Sequence, residues 1–241
     1  MPLSEQEALS RHHERIRRRG VNRIVYWPVR AFVQPALQLY FRVRRTGRQH
    51  IPAGKLILAA NHRSFLDPFV IGICIRRPIY FVAKSELFRN RMVGWLLNSL
   101  GAFPVRRGES DEESVATALA LLARGEAVVI FPEGRRHRSG PLHEPKRGVG
   151  RLALESGAPV VPIAVAGTER ARRGWRIRPV RVNIRCGRPL RYPRIESPSP
   201  HLATEVTARI WPCIDLQLAW LGGPMRAQPE PAGQEAESFA A

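Results

Sequence analysis

The sequence predicts an α/β protein, a mostly parallel mixed sheet flanked by helices, and three observations carry that expectation. Four short runs, residues 56–60, 79–82, 127–130 and 160–165, are almost continuously apolar. That is the pattern of strands covered on both faces. Helix-like stretches lie between them, and this alternation is what builds a parallel sheet. At 241 residues the chain is long enough for one sizeable core, and nothing in it repeats, so a single folded domain over 49–221 with extensions is expected.

Taken in order, residues 1–20 are polar and basic and read as a basic N-terminal arm, mobile at its start. Residues 24–43 carry Val25, Trp27, Phe32, Val33, Leu37, Tyr40 and Phe41, while Arg23, Arg30, Gln34, Gln38 and Arg42 recur at steps that align them on one helical face. A spanning helix needs about 20 mainly apolar residues without central charge. An amphipathic element over 21–48 lying on a membrane surface is therefore expected, divided at Pro35. The alternative is an amphipathic helix packed on the protein's own core. Pro68 suits a first helical turn, so Asp67 is expected to cap a helix over 69–75. Ser110 with Glu113 makes a capping box before residues 115–123, and Gly125 stops that helix. Residues 146–156 read as a helix closed by Gly157. Over 180–186, Val180, Val182, Ile184 and Cys186 alternate with Arg181, Asn183 and Arg185, a strand with one wet face near a sheet edge. A last amphipathic stretch, 202–221, is interrupted by Pro212, and residues 222–241 read as a disordered tail.

The formal charge of +19 and the pI near 11.5 come almost wholly from arginine, because Lys55, Lys84 and Lys146 are the only lysines. Such a surface is drawn to polyanions, either nucleic acid or an anionic leaflet. Residues 15–66 contain no Asp or Glu, so the positive face is N-terminal. No zinc-finger spacing, helix-turn-helix pattern or aromatic-bearing strand motif accompanies the charge, which sets nucleic acid aside and favours a membrane surface. Cys74, Cys186 and Cys213 are odd in number and far apart, each in an apolar run, so buried free thiols are expected. Neither they nor the histidines have metal-ligand spacing, and no metal or prosthetic group is expected. The first apolar stretch follows a basic arm and contains Pro28, Arg30 and Pro35, unlike a signal peptide.

The run Asn61-His62-Arg63-Ser64-Phe65-Leu66-Asp67 places a histidine and a carboxylate five positions apart, directly after a strand-like run. Five helical steps turn the chain by about 500°, so the two side chains meet only if His62 lies in the turn before the helix. A carboxylate bonded to one ring nitrogen fixes the tautomer and leaves the other nitrogen to take a proton from an alcohol. The plainer alternative is that Asp67 only caps a helix and His62 only bonds its own loop. Downstream, Phe131-Pro132-Glu133-Gly134-Arg135-Arg136-His137-Arg138-Ser139-Gly140 follows a second strand-like run. Gly101-Ala102-Phe103-Pro104-Val105-Arg106-Arg107-Gly108 lies between these motifs, and Val160-Val161-Pro162-Ile163-Ala164-Val165 follows them.

Four motifs in this order resemble the glycerolipid acyltransferase family, best known through 1-acylglycerol-3-phosphate (lysophosphatidic acid) acyltransferases, and the likeness spans residues 51–189. It implies a glycerol-3-phosphate acyltransferase-like fold and an enzyme that moves a fatty acyl group from acyl-CoA or acyl carrier protein to a lysophospholipid at the cytoplasmic face of a membrane. By resemblance His62 is the general base and Asp67 its orienting partner. Arg107 and Arg136 match arginines that hold the acceptor's phosphate, a task suited to a guanidinium fork. Glu133 is implied to bond glycerol hydroxyls or to organise nearby arginines, or it merely neutralises its basic neighbours. Gly134 would let the backbone approach the ligand. Lys84 and, more weakly, Lys146 look like lysines beside the site, whereas Arg106 reads as a surface residue. Residues 92–97, with Trp95, line an acyl tunnel or fill the core. Arg135 stands where threonine or serine is common, and with His137 it leaves the acceptor open between 1-acylglycerol 3-phosphate and another lyso-lipid, an amino-acid lipid or a headgrouped lysophospholipid. A reading from another class is an inactive basic membrane- or nucleic-acid-binding protein on this fold. Intact His62, Asp67, Glu133 and Arg107 oppose it.

Overall fold

The computed structural model describes residues 4–106 and 111–223. Its strands are β1 (Arg44–Thr46), β2 (Leu56–Ala60), β3 (Ile79–Lys84), β4 (Ala102–Val105), β5 (Ala127–Ile130), β6 (Val160–Ala166), β7 (Arg172–Arg173), β8 (Arg176–Ile177) and β9 (Asn183–Cys186). The α-helices are α1 (Glu5–Arg19), α2 (Arg23–Tyr40), α3 (Asp67–Gly72), α4 (Arg91–Ser99), α5 (Glu112–Ala123), α6 (Gly148–Ser156) and α7 (Pro200–Ala219). Seven strands make one sheet in the order β1-β9-β6-β2-β5-β3-β4, parallel at every pairing except β6 with β9. The remaining two, β7 and β8, form a separate hairpin.

β2 lies at the centre because all five of its residues are apolar and buried. Successive side chains alternate between faces: Leu56, Leu58 and Ala60 enter one core, Ile57 and Ala59 the other. The first core takes Val70 and Ile71 of α3. The second takes Ile16 of α1, Leu121 and Leu122 of α5, Leu154 of α6 and Ile210 of α7. Both faces are thus sealed, as the continuous apolar runs require. Parallel pairing of β6, β2, β5, β3 and β4 places their carboxyl ends along one edge, the usual site of ligand binding in such sheets.

The N-terminal segment departs from expectation. From Ser4 on, the basic arm is not a free extension: α1 begins with a capping box between Ser4 and Glu7 and packs Leu9, His13 and Ile16 inward, with His13 Nδ1 2.9 Å from Thr117 Oγ1. Nor does Pro35 divide the next segment, since α2 runs unbroken through Pro28 and Pro35. Two of its polar residues, Arg30 and Gln34, face the protein. Arg30 donates to the carbonyls of Ile75 and Arg77, and Gln34 to that of Gly72 at 2.9 Å. Arg45 and Arg48 reach the carbonyls of Ile73 and Cys74 at 3.1 and 3.0 Å. These donors satisfy the open carbonyls that follow the short helix α3, where positive charge is favoured. Part of the acid-free arginine cluster is therefore committed inside the fold. Several apolar residues of α2 point the other way: Ile24 is 86%, Phe32 79% and Leu39 82% exposed, whereas Tyr26 and, just past the helix, Phe41 are buried.

Smaller differences have local causes. Asp67 is the first residue of α3, not its cap, and α3 ends at Gly72. Asp111 caps α5 by accepting from Ser114 N at 3.0 Å, replacing the expected Ser110, which lies outside the described residues. α6 starts at Gly148, and α7 passes through Pro212 without a break. β9 does lie near a sheet edge, as the second strand from it, with β1 outside. Of residues 92–97, Leu97 packs against the core, whereas Met92, Val93, Trp95 and Leu96 are exposed on α4. Cys74 and Cys186, far apart in sequence, meet in the core, where a mutual hydrogen bond and burial hold the Cys74 thiol well above its usual range. Of residues 222–241, only 222 and 223 are described. Among the described residues, no helix is long and apolar enough to cross a membrane.

Candidate active site

Three neighbouring strands deliver the site. The turn after β2 carries His62, the loop after β5 carries Glu133 to His137, and the turn after β6 carries Thr168. His62 Nδ1 lies 2.8 Å from Asp67 Oδ2. The same carboxylate oxygen accepts the amides of Arg63 at 2.7 Å and Ser64 at 2.8 Å, and Oδ1 accepts Thr168 Oγ1 at 2.6 Å. Asp67 is fully buried, so these donors replace the water its charge would otherwise require. Because α3 opens on Asp67-Pro68, the carboxylate sits at the first helical turn, where negative charge is favoured.

The imidazole is held from three sides. Its ring stacks on Phe131 at 4.0 Å between centroids, its backbone amide donates to Glu133 Oε1 at 2.9 Å, and its carbonyl accepts the amide of His137 at 2.9 Å. With Nδ1 bonded to a carboxylate, the neutral ring carries its lone pair on Nε2. That atom has no hydrogen-bond partner among the described residues. His62 is 8% exposed, enough for one edge of the ring to meet a substrate.

Glu133 has an occupation that differs from the expected contact with substrate hydroxyls or arginines. It is buried, with Oε1 on the His62 amide and Oε2 2.8 Å from His137 Nδ1. It fixes the main chain at His62 and the ring of His137. Gly134 turns with φ of 69°, and a Cβ there would meet the Lys146 side chain at 3.0 Å, so what approaches this backbone is Lys146. Arg135 and Arg136 are exposed on the same loop, leaving a basic mouth beside the buried pair. Arg63 ties that loop down by donating to the carbonyls of His137 at 3.1 Å and Gly140 at 2.6 Å.

Of the remaining expected residues, the described one has a partner of its own. Lys84 ends β3 and pairs with Glu86 at 2.5 Å, an ammonium contact that holds the Glu86 carboxyl down at about 2. Arg107 lies outside the described residues, although β4 before it ends at the same edge of the sheet. Two residues gain roles that sequence reasoning missed. Thr168 orients Asp67, and Asn61 pins the end of β2 to β6 through both main-chain atoms of Val165, at 2.8 and 2.9 Å. The available signal was position: each is a polar residue within two positions of the end of an apolar strand run. Gly167, with φ of 102° and no room for a Cβ against the Arg181 carbonyl, makes the turn that aims Thr168. Among the described residues, no group of three or more His, Cys, Asp and Glu side chains is placed to hold a metal.

Comparison with known proteins gives the family and the fold. The chain is 36% identical over 134 residues to a 1-acyl-sn-glycerol-3-phosphate acyltransferase of Bacillus subtilis (strain 168), covering 54% of this chain and 66% of that protein. It is 33% identical over 129 residues to a lyso-ornithine lipid O-acyltransferase of Pseudomonas aeruginosa, covering 53% and 48% respectively. In both cases the chain spans less than two thirds of the relative's length. The crystal structure of the 1-acyl-sn-glycerophosphate (LPA) acyltransferase PlsC from Thermotoga maritima shares the fold, with a TM-score of 0.62 over 92% of this chain and 90% of that one, at 23% identity. The family model described as Acyltransferase matches residues 42–166, which contain His62, Asp67 and Glu133 and make up more than half of the sequence, so the chain belongs to the Acyltransferase family.

Proposed function

We propose that this protein transfers a fatty acyl group from a thioester, carried on coenzyme A or acyl carrier protein, to the free hydroxyl of 1-acylglycerol 3-phosphate, giving phosphatidic acid for phospholipid synthesis. The observation that carries the reading is the His62–Asp67 pair, whose side-chain polar atoms are bonded within the described residues except for Nε2 of His62. Nε2 takes the hydroxyl proton as the oxygen attacks the thioester carbonyl carbon. The C–S bond then breaks, and the imidazolium returns the proton to the departing thiolate. No covalent enzyme intermediate is needed, and the chain has no Gly-x-Ser-x-Gly elbow. Arg135, Arg136 and Lys146 at the mouth, with Arg107 by resemblance, suit the acceptor's phosphate.

The Bacillus relative, a 1-acyl-sn-glycerol-3-phosphate acyltransferase by name, supports this acceptor. Arg135 and His137 depart from the usual third motif, and together with the Pseudomonas relative they favour lyso-ornithine lipid as the second reading. Purified protein offered acyl-CoA with a panel of lyso-acceptors decides between the two. The reading predicts the highest kcat/KM for 1-acylglycerol 3-phosphate; a higher value for lyso-ornithine lipid replaces it, and no transfer to any lyso-lipid ends it.

The reaction belongs, on this reading, at the cytoplasmic face of an anionic membrane, with the chain held peripherally or monotopically. The outward apolar face of α2 supports that placement, with Ile24, Phe32 and Leu39 exposed.

A further inference from the structure

A second arginine-rich stretch lies far from the first in sequence. Residues 170–194 contain ten arginines and no Asp or Glu. The stretch opens with the β7–β8 hairpin, whose Gly174–Trp175 turn leaves Trp175 83% exposed, with the Arg176 guanidinium 5.0 Å from its ring centroid. Arg172, Arg173, Arg176 and Arg178 are all exposed around it. A two-stranded hairpin is marginal in water on its own. This one is held by Arg178 N donating to the Ala171 carbonyl at 2.7 Å and by Tyr40 Oη donating to the Ile177 carbonyl at 2.8 Å. Through the second bond the hairpin abuts α2. Ile177 joins Phe32, Leu39 and Tyr40 around one apolar groove that reaches Leu66, the residue before Asp67. The hairpin also begins two residues past the Thr168–Arg170 turn, whose threonine bonds Asp67.

We propose that the hairpin of residues 172–178 is a second membrane-docking element, in which Trp175 enters the headgroup layer of an anionic phospholipid leaflet and the surrounding arginines bond lipid phosphates. The inference rests on the membrane-surface reading of α2 and adds a contact that α2 does not supply. Tryptophan, amphipathic and large, settles at membrane–water interfaces. Guanidinium forks match phosphate oxygens, and no carboxylate in the stretch competes for them. An anionic leaflet fits better than nucleic acid because Ile177 continues directly into the apolar face of α2, which a phosphate backbone would leave uncovered. Two attachments on either side of the groove fix the opening toward the leaflet, so an acceptor anchored by one acyl chain presents its hydroxyl to His62 without leaving the lipid.

The test uses the full chain with phosphatidylglycerol and phosphatidylcholine vesicles. Brominated phosphatidylglycerol should quench a part of the tryptophan emission that Trp175→Phe removes. Changing Arg172, Arg173 and Arg176 to Gln should weaken phosphatidylglycerol binding by about fivefold per arginine, with Tm unchanged because all three are exposed. If the native chain and Trp175→Phe both bind and are quenched alike, or if the triple variant binds as tightly as the native chain, the hairpin stays in water and this inference falls while the α2 reading stands. If the native chain binds no vesicle, both fall. Tighter binding to an oligonucleotide than to vesicles, unchanged by Trp175→Phe, assigns the arginines to nucleic acid and overturns the proposal.

Discussion

The turn after β2 and the helix α2 use polar residues in opposite ways. In the turn, Asp67, the Arg63 and Ser64 amides, Thr168 and Glu133 satisfy one another, and what remains unspent is one nitrogen, Nε2 of His62. In α2 the polar residues Arg30 and Gln34 turn inward to main-chain carbonyls, and what remains unspent is a strip of apolar side chains. The first leftover is a single atom with a lone pair, which suits chemistry. The second is an area, which suits a surface. In each region, what the protein leaves unsatisfied marks where it meets something else.

The largest expected effect lies in the turn. His62→Ala should lower kcat by at least about 10²-fold. The fold should survive, because the bonds from the His62 amide and carbonyl to Glu133 and His137 are main-chain bonds that alanine retains. Transfer at the native rate in a folded variant would reduce His62 to a loop residue. Thr168→Val, next in size, leaves a fully buried carboxylate oxygen without its donor, a loss of about 1–3 kcal/mol in stability. Its kcat should fall with little change in the acceptor's KM, and Thr168→Ser should restore both; failure of serine to rescue would make the methyl group, not the hydroxyl, the relevant feature. The two faces of α2 should then separate. Arg30→Ala should lower Tm by stranding the carbonyls of Ile75 and Arg77, whereas Phe32→Ser with Leu39→Ser should change stability by no more than about 0.5 kcal/mol per site while weakening vesicle binding. A fall in Tm with unchanged vesicle binding would show that the apolar strip serves the fold.

Deleting the whole N-terminal segment would not make that distinction, since it strips Ile16 and Phe41 from the core. Point substitutions on the outer face isolate the surface from the fold.

Legibility in the sequence followed the range of the interactions involved. Strands β2 and β5 were legible to the residue because burial on both faces leaves no polar position to blur their ends. The His62–Asp67 contact was legible because both partners lie within one turn. α1 carried a usable signal that was passed over, a capping box and inward residues at 9, 13 and 16, masked by the arginines around them. What could not be read locally depended on topology. Thr168 reaches Asp67 only because β6 lies beside β2, and Glu133 reaches the His62 amide only because β5 lies on its other side. The unbroken course of α2 through two prolines is likewise a tertiary result, in which bonds from Arg30 and Gln34 outweigh the lost helical hydrogen bonds. The same bonds explain why the N-terminal arginines misled: charge shows in sequence, but commitment to a carbonyl does not.

The central claim is that His62 and Asp67 act as one unit in acyl transfer, and a double-mutant cycle on kcat tests it most directly. With 1-acylglycerol 3-phosphate and acyl-CoA, Asp67→Asn should give an intermediate loss and His62→Ala the larger one. Because the carboxylate acts only through the imidazole, the double variant should be no slower than His62→Ala alone. Losses that multiply, so that the double variant falls below His62→Ala by the full factor of Asp67→Asn, would contradict the pairing and return Asp67 to the role of a residue that merely shapes the start of α3.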